Sequence, residues 1–188
     1  GQAVSASNAA AVSVRDSTLR HGVALSVSRD PFHSGPVEIV GNVVADVGVR
    51  DAGIGVVVQR DAAGIAPVVS GNAVSGVVDS TLDHFVSGRA ISVIGPRLEP
   101  ALLVGNTGNG NTHNALFVAG SIAGDVTLPQ PGLPWAIDQR THGERTGLTV
   151  REGATMRLNP GAVLKVAHAW WGTPYLVVNG SLVGAGRE

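Results

Sequence analysis

Val37-Glu38-Ile39-Val40-Gly41-Asn42-Val43-Val44 decides the reading of this chain, because the phrase returns. Pro67-Val68-Val69-Ser70 leads into Gly71-Asn72, and Ala101-Leu102-Leu103-Val104 into Gly105-Asn106. A second apolar run follows each pair: Ile54–Val58, then Ala90–Ile94, then Ala115–Val118. The pairs stand 30 and 34 residues apart, a period that signals stacked structural repeats. Within the runs, Val37-x-Ile39 and Ile91-x-Val93 alternate apolar and other residues. That is the mark of strands with one buried face.

Upstream, Val12-Ser13-Val14-Arg15-Asp16-Ser17-Thr18-Leu19 aligns with the same phrase, with Asp16-Ser17 in the Gly-Asn place and an offset of only 25. Stacked coils of this length set like strands beside like strands, in parallel, about 4.7–4.9 Å apart. The Gly-Asn pairs then superpose. Glycine admits the positive φ that such a bend needs. Asn42, Asn72 and Asn106 are expected to be buried, each hydrogen-bonding to its neighbours in a structural ladder. The competing functional reading is that these asparagines bind a sugar or a metal.

Composition agrees with an all-β chain. The 188 residues are 44% hydrophobic and 14% charged, with 26 glycines and few aromatics. The formal net charge of −1 gives no long-range pull toward nucleic acid or an anionic membrane. With no cysteine, disulfides, thiolate metal sites and cysteine nucleophiles are excluded. No apolar run reaches the roughly 20 residues of a membrane-spanning helix. Two regions are expected: coils with Gly-Asn corners over 1–125, and a continuation over 126–188 with shorter strands and Pro/Gly turns. In the second, the proline-rich 126–135 reads as a linker or non-strand wrap. The first and last residues carry no evident cap, which leads to the expectation of a segment from a longer polypeptide.

The run Leu148-Thr149-Val150-Arg151-Glu152-Gly153 through Asn159-Pro160-Gly161-Ala162-Val163-Leu164-Lys165-Val166, with Tyr175 through Gly186, resembles segments of bacterial secreted parallel β-helix proteins. The Gly-Asn coils resemble the pectate-lyase-type repeat. The resemblance implies a single-stranded, right-handed parallel β-helix, here of six or seven coils, the handedness also following the crossover preference of parallel strands. It implies an extracellular or cell-surface setting. It does not choose an activity, because that scaffold carries lyases, glycosidases, adhesins and stalks alike.

Three functions follow as expectations. The first is an adhesin-like structural solenoid, offering an extended surface to polysaccharide or to another protein. The second is a polysaccharide lyase or glycoside hydrolase, which needs paired carboxyl groups. Asp46 with Asp51 and Asp79 with Asp83 are the candidate pairs. Arg50, Arg60 and Arg89 are placed to neutralise a uronate, and His84 to act as acid or base. Solvated loop charges are the plainer reading of all of these. The third is a fibre subunit joined to other copies through open coil ends. Trp135, Trp170, Trp171 and Tyr175 are candidate sugar-stacking groups, or else packing residues.

No cofactor is expected. The run Asn109-Gly110-Asn111-Thr112-His113-Asn114 offers oxygen ligands of the kind calcium accepts, but without an acidic residue it reads as a polar turn. The six histidines show no metal-binding spacing, Gly-x-Ser-x-Gly is absent, and the Gly-x-Gly pairs lack a strand–helix context.

Overall fold

The computed structural model describes residues 3–30, 32–33, 35–59, 65–79, 87–129, 131–138, 147–166 and 174–184. It is a parallel β-solenoid of about five turns. One representative turn runs Val37–Val40, Val43–Val44, Gly48–Val49, Ala52–Val58. Each strand pairs in parallel with its counterpart one turn away, so the turns build several stacked sheets around one interior.

The largest sheet stacks Ala3–Ser7, Ala24–Arg29, Ala52–Val58, Arg89–Leu98, His113–Ile122, Trp135–Ile137 and Leu164–Val166 in that order. Gly147–Val150 also pairs with His113–Ile122, and Tyr175–Val178 with Gly147–Val150. Thus Trp135–Ile137 and Gly147–Val150 share one level, laid against different parts of the same ten-residue strand. This sharing is why the turns number fewer than the six or seven expected.

Alternation fixes what is inside. Ile39, Val44, Ile54, Val56, Val69, Val77, Ile91 and Val93 are fully buried and belong to one core that runs the length of the stack. Burial of such a side chain is worth about 1.5–3 kcal/mol, and no single turn can supply it alone. The β-branched residues that dominate these positions also suit a pleated, half-buried surface. Arg29 is buried as well, and its guanidinium donates to the carbonyls of Gly35 and Pro36, tying the following loop to the strand.

The short first coil is in register. Val12–Arg15 pairs with Val37–Val40, and Thr18–Leu19 with Val43–Val44. Asp16 adopts φ 48°, in the position where Gly41 has φ 68°. Gly71 and Gly105 turn the same corner at φ 65° and 71°. Two expectations need correction. The apolar run before Gly105 is not a strand: Pro100–Leu102 is a 3-10 turn, since proline lacks the N–H a ladder position requires. Nor is 126–135 a wrap, because Val126–Leu128 pairs with Thr155–Leu158, and a strand opens at Trp135.

Candidate functional site

The corner asparagines form one hydrogen-bonded line. Asn42, Asn72 and Asn106 are all buried. The backbone N–H and the Nδ2 of Asn42 both donate to Oδ1 of Asn72, each at 3.0 Å. Asn72 repeats the pattern toward Oδ1 of Asn106, at 3.1 and 3.0 Å. Each Nδ2 also reaches main-chain carbonyls: Val14 from Asn42, Ile39 and Ser70 from Asn72, and Val69 and Leu103 from Asn106. Above Asn42, the Ser17 N–H donates to its Oδ1 at 3.0 Å. Side chains so enclosed offer nothing to an outside ligand.

The strongest chemical cluster lies on the outer face of the large sheet. Ser92, Phe117 and Ala136 stand in register on three successive strands. They alternate with core residues, and Phe117, Ala115 and Ala136 form a small apolar cluster separate from the core. Arg89, at the start of its strand, is buried there with Asp138. Arg89 Nη2 lies 3.0 Å from Asp138 Oδ1, and Ser92 Oγ donates to Asp138 Oδ2 at 2.9 Å. The Arg89 guanidinium carbon sits 4.9 Å above the Phe117 ring centre, a cation–π distance. His113 meets the same ring edge-on, with centroids 6.0 Å apart.

This geometry sets the electrostatics. A buried charge is tolerated when it is paired and hydrogen-bonded, and the carboxylate of Asp138 provides that for Arg89. Burial pushes the His113 pKa below its usual 6.5; the charges of Arg89 and Lys165 push the same way, while Asp79 opposes them. His113 therefore favours the neutral imidazole. Asp79 is held too: Ser87 Oγ donates to its carboxylate, and its own N–H donates to Thr112 Oγ1 at 3.0 Å.

The carboxylates proposed as catalytic pairs do not share this site. Asp46 is exposed, in a left-handed turn (φ 55°) that precedes Gly48–Val49. Asp51 is exposed beyond the other end of that strand, and Asp79 follows Val77–Val78, its parallel partner. Asp46 and Asp79 thus stand at opposite ends of one short two-stranded sheet. Arg89 is not poised toward a substrate: its guanidinium is buried against Asp138, one turn of stacking away. Arg50 lies beside the cluster through its backbone, its carbonyl accepting from the Gly88 N–H at 2.7 Å. Arg60, Asp83, His84, Trp170 and Trp171 lie outside the described residues.

Trp135 requires a further correction. It is buried in the core, stacked in register on Leu116 and beneath Leu164, where no sugar ring can reach its face. Tyr175 is on the surface, at the start of an outer strand. The asparagine-rich turn is structural: Asn111 Oδ1 accepts from the Val77 N–H at 2.9 Å, and its Nδ2 donates to Val74 O at 2.9 Å and Asn114 Oδ1 at 2.8 Å. Among the described residues, no group of three or more His, Cys, Asp or Glu side chains is placed to hold a metal ion. No described helix is long and apolar enough to cross a membrane.

Asp138 was not among the candidates read from the sequence. Its signal is the alternation Trp135-Ala136-Ile137-Asp138, which sets Asp138 on the face of Ala136 and opposite Trp135 and Ile137. Comparison with protein-family models, with curated proteins and with solved structures gives no match. The likeness to bacterial secreted β-helix proteins therefore rests on the repeat pattern and the solenoid fold.

Proposed function

We propose that this chain serves as a structural, adhesin-like solenoid segment of an extracellular or cell-surface bacterial protein, presenting its long lateral face to polysaccharide or protein. One observation carries the reading: the buried polar side chains join turns to one another. The Asn42–Asn72–Asn106 line, Asn111 and the Arg89–Asp138–Ser92 group each bridge strands from different turns. Groups needed for attack or proton transfer on a substrate would have to leave those bonds. The surface setting is supported by the repeat's resemblance to secreted β-helix proteins.

The test is an activity and binding screen of the folded chain on uronate-containing and neutral polysaccharides. Products would be followed by ultraviolet absorbance of unsaturated ends and by reducing-end assay. Retention on at least one polysaccharide or surface-protein preparation, without product release, is the expected result. Product release that disappears in Asp79→Asn would overturn the structural reading and establish an enzyme.

A further inference from the structure

We infer that copies of this chain join head to tail, Leu164–Val166 of one copy pairing in parallel with Ala3–Ser7 of the next. This inference rests on the reading of the chain as a structural solenoid. It starts from the two outermost strands in the order of the large sheet. Ala3–Ser7 pairs on one side with Ala24–Arg29, and Leu164–Val166 on one side with Trp135–Ile137. No described strand pairs with the other edge of either, which leaves rows of main-chain N–H and C=O groups available.

The two edges belong to the same columns. The inward column that begins at Val4 and Leu25 passes through Ile91 and ends at Trp135 and Leu164. The next inward column begins at Ala6 and ends at Val166. A copy added in the same sense therefore sets Val4 on Leu164 and Ala6 on Val166, continuing both the core and the direction of every strand. Apolar surface waits at both ends: Val4 is 44% exposed, Val166 52% and Val163 53%.

Edges that avoid pairing usually carry charge or proline. Ala3–Ser7 carries neither, and Leu164–Val166 carries only Lys165. Lys165 belongs to the outward column of Ser5, so the head-to-tail register sets it beside a neutral serine. A two-fold arrangement of the Leu164–Val166 edges, centred on Lys165, would instead oppose two lysines in antiparallel strands, which is unfavourable. Charge thus selects the heterologous contact. Such a contact does not close on itself, and it generates linear assemblies.

The absence of cysteine permits a direct test. Chains carrying Ser5→Cys and Lys165→Cys are mixed in equal amounts and mildly oxidised. Neighbouring Cα atoms across a parallel sheet are about 4.7–4.9 Å apart, inside the disulfide window of about 4.4–6.8 Å. The expected product, identified by mass spectrometry, is the 5–165 disulfide between copies, in clear excess over 5–5 and 165–165. Sedimentation velocity of the unmodified chain should show concentration-dependent assembly. Val166→Asp should abolish that assembly, whereas Val49→Asp, on the lateral face, should leave it intact. A monomer at every concentration, symmetric disulfides in equal yield, or unchanged assembly in Val166→Asp would each overturn the inference. An assembly that releases sugar product would refute the structural reading alone, and an inert monomer would refute head-to-tail joining alone.

Discussion

Asn72 both gives and receives. Its Oδ1 takes two donors from Asn42, and its own N–H and Nδ2 reach Asn106. Replacing it with alanine leaves donors of Asn42 and the acceptor of Asn106 without that partner in a dry interior, where each orphaned group costs about 1–3 kcal/mol. Asn72→Ala should therefore destabilise the fold by roughly 2–5 kcal/mol, read as a lower urea midpoint, given that polarised neighbours fall together. His113 yields a pH prediction. Its folded pKa lies below 6.5, so the unfolded chain binds a proton first as pH falls. The contribution of the neutral imidazole is complete above about 6.5 and is lost as pH drops through the lowered folded value. Across that window His113→Gln should lose less thermal stability than the parent chain, measured as Tm against pH.

At the scale of the element, corners and strands make different demands on glycine. A methyl group at Gly71 would meet Gly41 N only at 3.8 Å, so Gly71→Ala faces mainly its φ of 65°, a penalty of about 1–2 kcal/mol. Gly120 lies in a strand of the large sheet, in register with Gly95, and an added methyl would run into the Gly95 carbonyl. Gly120→Ala should cost several-fold more, or prevent folding, and parallel chemical denaturation of the two variants checks the contrast. Legibility divides along the same line. The Gly-Asn corners are visible in the chain because the repeat is written in local residues, and even the abbreviated first coil obeys it. Prolines misdirected the reading elsewhere. Pro100 broke an apolar run into a turn, whereas the prolines after Leu128 spared Val126–Leu128 and Trp135–Ile137. Arg89 with Asp138 was illegible for another reason: Ser92 and Asp138, 46 residues apart, meet only once turns of unequal length have been stacked.

Across the whole molecule, stability should follow position in the stack, because each turn leans on its two neighbours. Native-state hydrogen exchange is expected to protect Ile54–Val58, Ile91–Ile94 and Leu116–Val118 most strongly. Ala3–Ser7 and Ser181–Gly184, at the ends of their sheets, should exchange through local opening. Uniform protection from end to end would indicate a single cooperative unit instead. The asparagine line bears on this architecture in one further respect. Successive partners are separated by 30 and then 34 residues, yet the donors meet the acceptor at nearly the same distance each time. Surplus residues are shed into the loops before the next corner is reached. The amides thus act as an address that re-zeroes the count at every turn, so a length change inherited by one coil is not passed on as a phase error to the next. A chain built this way can lengthen its loops, and diversify what they display, without losing its place.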